Sequence, residues 1–248
     1  MILLGIDVGG SSIKGGLADV TRGELTRELL SLPTPQPWAP DAVMRTVADL
    51  SRKLPASGPA GFAFPTVVKR GRARTAANVD EGWIGIDGAA LASDAIGRPA
   101  VFLNDADAAG IAEIKWGAGR DTPGTVIMLT FGTGIGTAIF SDGRLLPNTE
   151  FGHLCMPAGE AEHYASARIK TEQSLDWQQW IDRVNEYLEQ MHRLFWPDVF
   201  ILGGSVSENF DEFRSLLQSP AEIRRARFTA QAGVIGAALA AAMSLDKP

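Results

Sequence analysis

Two short segments rich in glycine and hydroxyl side chains carry the first chemistry legible in this chain. One is Gly5-Ile6-Asp7-Val8-Gly9-Gly10-Ser11-Ser12-Ile13-Lys14, the other Leu129-Thr130-Phe131-Gly132-Thr133-Gly134-Ile135-Gly136-Thr137. Laid over each other, Thr130 falls on Asp7, Gly132 on Gly9 and Asp142 on Asp19. Each has an apolar run, a small-residue turn, a second apolar run and a closing acid. A turn of Gly, Ser and Thr leaves backbone N–H groups uncovered, and such groups cradle phosphate oxygens. Gly9, Gly10, Ser11, Ser12 and Lys14 in the first copy, and Thr130, Gly132, Thr133 and Gly134 in the second, are therefore candidate phosphate contacts. Asp7, ending an apolar run beside the turn, is placed to hold hydrated Mg²⁺. A tight hairpin whose glycines only relieve the backbone would look the same in one copy. The repetition favours phosphate, held between two half-molecules.

Further segments add acid–base and hydrogen-bonding groups. The apolar run Val101-Phe102-Leu103 delivers Asn104 and Asp105 just before a helix-forming stretch. Ligands of open α/β sheets gather at the carboxyl ends of strands. A carboxylate there can take the proton of a substrate hydroxyl, and Asn104 can orient that hydroxyl. Asp107 is assigned to the cap of the following helix, which leaves Asp105 for chemistry. Pro147 to Leu154 is polar where a strand would be apolar. Its Glu150 and His153, joined by Glu162, have the donors and acceptors to bind vicinal sugar hydroxyls. A histidine bonded only to backbone is the plain alternative, weakened by the neighbouring Glu150. Gly203-Gly204-Ser205 follows an apolar run and could abut the adenosine or far phosphates of a nucleotide, although a strand-to-helix turn needs glycine in any case.

These groups need strands and helices to deliver them. Ile2 to Ile6, Ile13 to Ala18 and Leu25 to Leu32 read as a meander of three strands. Pro33, Pro35, Pro37 and Pro40 force a loop after it. Asp41 is expected to cap a helix with Val43, Val47, Leu50 and Leu54 on one face. Gly61 to Phe64 and Ala100 to Leu103 read as short strands, and Asp107 to Lys115 as a helix. The meander restarts at Val126 to Thr130 and Ile135 to Phe140. A long helix follows from about Asp176, with Trp177, Ile181, Val184, Leu188, Met191 and Phe195 as its stripe, until Pro197 stops it. Val199 to Leu202 is a strand, and the helix from Ala232 is apolar nearly all round, as in a helix packed between layers. Meander, helix, strand and helix, twice over, is an α/β architecture with a sheet in each half. The expected division is 1–106 and 107–231, with a helix over about 232–245 packing back on the first half.

The bulk numbers narrow the function classes. The 248 residues are 45% hydrophobic and 21% charged, an ordinary globular composition. Lys and Arg number 23 against 29 acids, and a net charge of −6 argues against a general nucleic-acid-binding surface. Cys155 is the only cysteine, which rules out an intrachain disulfide and fits a reducing cytoplasm. Met1 to Asp7 lacks the basic start of a signal peptide, and the longest apolar stretch, Ala232 to Met243, is too short to span a bilayer, so no membrane association is expected. Lys69, Arg70, Arg72 and Arg74 form the densest basic run. Such a run is usually a solvated turn, but it could also guide a long polyanion.

The Asp7–Lys14 turn, Asn104-Asp105-Ala106-Asp107, the Gly132–Gly136 turn, Glu150-x-x-His153 and Glu162-x-Tyr164-Ala165-Ser166 together resemble the ROK family of sugar kinases and sugar-responsive regulators, over essentially the whole chain. The resemblance implies the actin-like ATPase fold, two RNase-H-like halves around a cleft. It implies Asp105 as catalytic base, Asn104, Asp105, Glu150, His153 and Glu162 on the sugar, and the two glycine turns on phosphate. Many members carry a cysteine cluster after the His153 position that binds structural zinc with the histidine. Leu154 to Glu162 holds only Cys155, so no zinc is expected. Thr75-Ala76-Ala77-Asn78-Val79-Asp80, Asn148 to His153 and Trp196-Pro197-Asp198 are similar to the polyphosphate glucokinase branch of the family. That branch phosphorylates glucose from inorganic polyphosphate, and some members also use ATP. The chain departs at Phe131, where an aliphatic residue is usual, and at Phe64-Pro65-Thr66, where Gly would follow Pro. The implied reaction moves a terminal phosphoryl group to the 6-hydroxyl of glucose with Mg²⁺. The alternatives are a strictly ATP-dependent hexokinase acting on glucose or mannose, and a non-catalytic sugar sensor. Family regulators carry a DNA-binding segment before the first glycine turn, whereas Asp7 stands seven residues from the start, so an enzyme is expected. Its expected partners are glucose and polyphosphate or ATP, and a homodimer is the default assembly.

Overall fold

The computed structural model describes residues 1–77 and 79–245, so Asn78 of the Thr75–Asp80 motif lies outside the described residues. The chain forms two compact units, Met1–Ala112 with Gln231–Pro248, and Glu113–Ala230.

In the first unit, β1 (Ile2–Val8) and β2 (Ser12–Asp19) form an antiparallel hairpin that sets Asp7 opposite Lys14 and Val8 opposite Ile13. Strands β3 (Glu24–Leu25) and β4 (Leu30–Pro33) both pair with β2. The single strand expected over Leu25 to Leu32 is thus broken. Thr26 donates both its N–H and its hydroxyl to the Leu17 carbonyl, and Arg27 reaches out to the Lys53 carbonyl at 2.8 Å, so the chain leaves the ladder between the two pieces. Helix α1 (Pro40–Lys53) buries Val43, Met44, Val47 and Leu50. Its N-cap is Ala39 rather than Asp41, because Pro40, with its fixed φ and missing N–H, takes the first helical position. Strand β5 (Ala60–Phe64) runs parallel to β1, and a small hairpin, β6 (Val68–Lys69) with β7 (Arg72–Ala73), follows it. Helix α2 (Gly88–Ile96), which no strong sequence periodicity announces, leads to β8 (Ala100–Asn104), parallel to β5. Helix α3 (Asp105–Trp116) starts two residues earlier than expected, and the expected division at 106/107 falls inside it. The units instead part between Ala112 and Glu113, in the same helix. The sheet order β3-β2-β1-β5-β8 brings the carboxyl ends of three parallel strands, Val8, Phe64 and Asn104, to one edge.

The second unit repeats the plan. Strands β9 (Thr125–Phe131) and β10 (Ile135–Ser141) form the hairpin, closed at Phe131 opposite Ile135, one residue tighter than its counterpart. Strand β11 (Arg144–Leu146) extends it. A hairpin of β12 (Cys155–Met156) and β13 (Gly159–Glu160) leads into α4 (Ala161–Ala165) and α5 (Ala167–Glu172). The long helix α6 (Trp177–Phe195) begins at a capping box, Asp176 with Gln179, and ends at Trp196 (φ 46°) before Pro197. Strand β14 (Val199–Gly204), α7 (Phe210–Phe213) and β15 (Glu222–Arg225) complete the sheet β11-β10-β9-β14-β15. Trp180 anchors the core, stacking edge-on against Phe131 at 5.6 Å and donating its indole N–H to the Ala165 carbonyl at 2.9 Å.

Helix α8 (Ala232–Leu245) belongs to the first unit and packs on β1, β5 and β8. It lies against bare backbone. A Cβ at Gly5 would overlap the Val234 carbonyl oxygen, and one at Gly61 the Ala237 carbonyl. Gly236 approaches the Ala108 carbonyl of α3 just as closely. Overpacking of this kind costs about 1–3 kcal/mol. Thermal unfolding of Gly61→Ala should fall by several degrees, at roughly 2–4 °C per kcal/mol for a chain of this size. Gly132→Ala, whose added methyl has nothing within 4 Å, should leave the midpoint unchanged.

Candidate active site

In the first unit the candidate residues gather at the carboxyl edge of the parallel strands. Asp7 is the penultimate residue of β1, and two strands away Asn104 ends β8 and Asp105 follows it. Between them on β5 lies Ala63, in register with both Asp7 and Leu103, so only a methyl group stands in that row. The two carboxylates sense each other. Burial pushes the Asp7 carboxyl up to about 7, Asp105's charge pushes the same way, and Lys14 opposes. Asp105 is also raised, by burial, against backbone N–H bonds that include Ala106 at 2.8 Å. The N-terminus of α8 seals the site from the other side, since a Cβ at Gly233 would lie 2.7 Å from Asp7 Oδ2. At the turn, Gly9 N–H donates to the Ser12 carbonyl at 3.0 Å and Thr34 holds the Gly9 carbonyl at 2.6 Å, leaving Gly10 and Ser11 exposed at the tip.

Asn104 is more deeply engaged than expected. Its carbonyl oxygen accepts the Asp107 N–H at 3.0 Å, so Asn104, not Asp107, is the side chain that caps α3. Its amide donates to the Thr66 carbonyl at 3.2 Å. Thr66 stands where the family pattern has glycine, and its hydroxyl donates to the Thr75 carbonyl at 2.6 Å. The threonine side chain therefore braces the base of the β6–β7 hairpin, while the link to the strand end before Asp105 runs through the Thr66 backbone carbonyl. The other departure, Phe131, points into the core against Trp180, away from the turn.

In the second unit the glycine turn lies beside the end of β14, where Gly203 is in register with Thr130 and Gly204 with Phe131. Gly204 has φ 82°, and a Cβ there would overlap Phe131 backbone, so local backbone packing alone requires glycine. Thr133 is exposed at the tip of the turn, and Gly132 faces open space. Gly134 has a different reason to be glycine: an added Cβ would overlap the Glu162 carboxylate. Gly152 is required by a backbone contact instead, since a Cβ there would overlap the Ile135 carbonyl oxygen. Glu162 is buried on α4.

Glu162, His153 and Glu150 come together, with two partners that sequence reasoning missed. Glu160 bonds His153 Nδ1 at 3.1 Å, while Glu150 lies 4.0 Å from Nε2. His163 lies 3.7 Å from Glu162 and 3.8 Å from Glu160. Burial would lower the His153 pKa, but the Glu160 hydrogen bond and the charges of Glu162, Glu160 and Glu150 outweigh it and raise it. The segment bearing Glu150 is pinned by a buried threonine pair. Thr137 donates to the Thr149 carbonyl at 2.6 Å, Thr149 returns a bond to the Thr137 carbonyl at 2.9 Å, and Phe151 N–H reaches the Thr137 hydroxyl at 3.2 Å. The available signal was a lone hydroxyl inside the apolar run Ile135 to Phe140.

Two groupings have the donors for a cation. Asp7 beside Asp105 is a pair of mutually repelling, partly buried carboxyls, which a divalent ion would relieve. His153, Glu160 and Glu162 hold ligand atoms within 4.8 Å of one another. Cys155 is exposed, and a single thiol does not make a thiolate zinc site.

Comparison with known proteins places the chain. The model of the ROK family matches residues 3–165. The polyphosphate glucokinase of Mycobacterium tuberculosis is 44% identical over 95% of this chain and 89% of its own length. That of Mycobacterium leprae is 42% identical over 95% of this chain and 73% of its own. The crystal structure of an inorganic polyphosphate/ATP-glucomannokinase from Arthrobacter sp. superposes with a TM-score of 0.95 at 41% identity, covering 98% of this chain and 99% of that one. A ROK family glucokinase from Streptomyces griseus shares the fold, with a TM-score of 0.85 at 22% identity, covering 98% of this chain and all of that one.

Two outcomes follow from this geometry. A carboxyl held at about 7 when folded and 3.8 when free binds its proton more tightly in the native state. Its cost to stability is absent below 3.8, grows between the two values and is complete above about 7. In metal-free buffer, Asp7→Asn should therefore gain more in melting temperature over the parent at pH 8 than at pH 4. Thr137→Val keeps shape but strands the Thr149 carbonyl and the Phe151 N–H, a loss of about 1–3 kcal/mol. Amide exchange at Phe151 should quicken in that variant well before exchange in β9.

Proposed function

The chain belongs to the ROK family, and we propose that it is a glucokinase that moves the terminal phosphoryl group of inorganic polyphosphate, or of ATP, to the 6-hydroxyl of glucose. Its fold is that of the actin-like ATPases. The observation that carries the reading is Asp105, kept with a raised pKa at the end of β8 and coupled to Asp7, in a chain 44% identical to a polyphosphate glucokinase.

In this reading Asp105 takes the proton of the sugar hydroxyl as its oxygen attacks the terminal phosphorus in line, and the donor leaves one phosphate shorter. A carboxyl with a raised pKa is a better base than an ordinary exposed one. Glu150, His153 and Glu162 bind sugar hydroxyls, and Asn104 fixes the strand end and the helix start that present Asp105. The turns at Gly9–Ser12 and Gly132–Gly134, with Lys14, face the phosphates and stabilise charge there. Mg²⁺, held through water by Asp7, would supply further neutralisation of phosphate charge.

The polyphosphate chain beyond the reacting group needs positive charge. Arg72 is committed to Asp87 at 3.2 Å and to the Gly85 carbonyl, whereas Lys69, Arg70 and Arg74 are exposed with no ion pair among the described residues. We assign those three side chains to the donor. Among the described residues no helix is long and apolar enough to cross a membrane. The lone free cysteine suits the cytoplasm, and a homodimer is the assembly we expect, to be read by sedimentation velocity.

Purified protein with glucose and Mg²⁺ should form glucose 6-phosphate from polyphosphate and from ATP. No product with either donor would remove the kinase reading. Product from ATP alone would select a strict hexokinase, and equal kcat/KM with mannose would match the dual sugar use in the Arthrobacter enzyme's name. Asp105→Ala should lose about 10²–10⁴-fold in kcat, the usual worth of a general base. Replacing Lys69, Arg70 and Arg74 with Ser should raise KM for polyphosphate, flatten its salt dependence and leave KM for ATP unchanged.

A further inference from the structure

We propose that Glu160 is a positioning residue for sugar binding: its carboxylate fixes the ring of His153 and the proton on Nδ1, so that Nε2 meets the sugar as a hydrogen-bond acceptor. The inference rests on the sugar-kinase reading above. Glu160 ends β13 at the open end of the β12–β13 hairpin, directly across from Cys155, with Gly159 at φ 115° just before it. It is also the N-cap residue of α4, yet its side chain does not cap the helix. The carboxylate goes to the histidine instead, at 3.1 Å from His153 Nδ1.

An ionised carboxylate only accepts hydrogen bonds, so the nitrogen facing it must carry the proton. The other nitrogen of a neutral ring then has a free lone pair. A neutral imidazole in water prefers the opposite arrangement, with the proton on Nε2. Glu160 reverses that preference, and Nε2 is directed to the side where Glu150 lies 4.0 Å away. Glu150 and Glu162, when ionised, are acceptors too. In its neutral form, which the raised pKa of His153 confines to more alkaline pH, the ring and its two acidic neighbours thus form a set matched to hydroxyl donors and mismatched to other acceptors, as the recognition of a polyol requires. Without Glu160 the proton would return to Nε2, and a donor would stand where the sugar needs an acceptor. His163, 3.8 Å from the same Glu160 oxygen, competes for the carboxylate from the exposed side, so His163→Gln is the natural control.

The chain has three histidines, so ring nitrogen signals are few enough to assign, using His153→Gln as the reference. Long-range ¹H–¹⁵N spectra of the sugar-free protein, recorded at alkaline pH where the ring is neutral, should show His153 protonated on Nδ1. In Glu160→Leu the proton should sit mainly on Nε2. The same variant should raise KM for glucose about tenfold, the worth of one good hydrogen bond. Its kcat should stay within about threefold, since Glu160 is remote in role from the transferred proton. Glu160→Gln, whose amide oxygen can still accept from Nδ1, should recover most of the affinity, and His163→Gln should leave KM unchanged. An Nε2-protonated His153 in the parent protein would overturn the inference, and so would a KM in both Glu160 variants within twofold of the parent. The spectrum of the parent decides even if Glu160→Leu does not fold. Glucose 6-phosphate formation by the parent protein separately tests the kinase reading.

Discussion

The edge of the first unit that carries Asp7 and Asp105 depends on the absence of four side chains. Gly5 and Gly61 let α8 lie with its carbonyls where Cβ atoms would be, Gly236 does the same against α3, and Gly233 brings the helix start onto Asp7. A helix set this close leaves no layer of side chains and no water between itself and the strands. The burial that results pushes Asp7 up to about 7. Ala63, in register with Asp7, puts only a methyl group on the strand between Asp7 and the end of β8 that leads to Asp105, whose charge acts on Asp7. The electrostatic state of the site is therefore a consequence of backbone packing some residues away from the reacting groups.

The second unit uses the same economy for a different purpose. Gly152 is small because the Ile135 carbonyl occupies the space its side chain would take, and Gly134 because Glu162 does. The buried hydroxyls of Thr137 and Thr149 replace missing ladder bonds and hold Glu150 and His153 in place beside it. A buried carboxylate so close to the second turn gives that turn an electrostatic character unlike that of the first, where Lys14 faces Asp7. Two segments alike in sequence have become, in their own units, a turn with a cation beside it and a turn shaped around an acid.

Much of this was legible beforehand. The paired meanders, the start of the long helix near Asp176 and its stop at Pro197 follow from local rules of period and proline geometry, and each stands close to where those rules put it. The place of Asn104 and Asp105 at the junction of β8 and α3 was legible because a polar pair ends an apolar run there. The errors are equally instructive. The strand expected over Leu25 to Leu32 is split by hydrogen bonds from Thr26 and Arg27 to distant carbonyls, and the cap of α3 passed to Asn104 because its carbonyl is the one aimed at the third N–H of the helix. Glu160 was invisible because nothing in the string Met156-Pro157-Ala158-Gly159-Glu160 marks a partner seven residues upstream.

The sequence by itself determined the family and the α/β plan and singled out Asp105 as a candidate base, since those rest on residue type and short-range spacing. Tertiary structure alone decided why each glycine is a glycine, which side chain serves as cap or anchor, and how strongly Asp7 and Asp105 hold their protons. Those properties come from distances between residues far apart in the chain, and no local pattern encodes them. The repeated glycine turn shows the difference most clearly. Its recurrence is a fact of sequence, but the acid behind one copy and the helix behind the other exist only once the chain is folded.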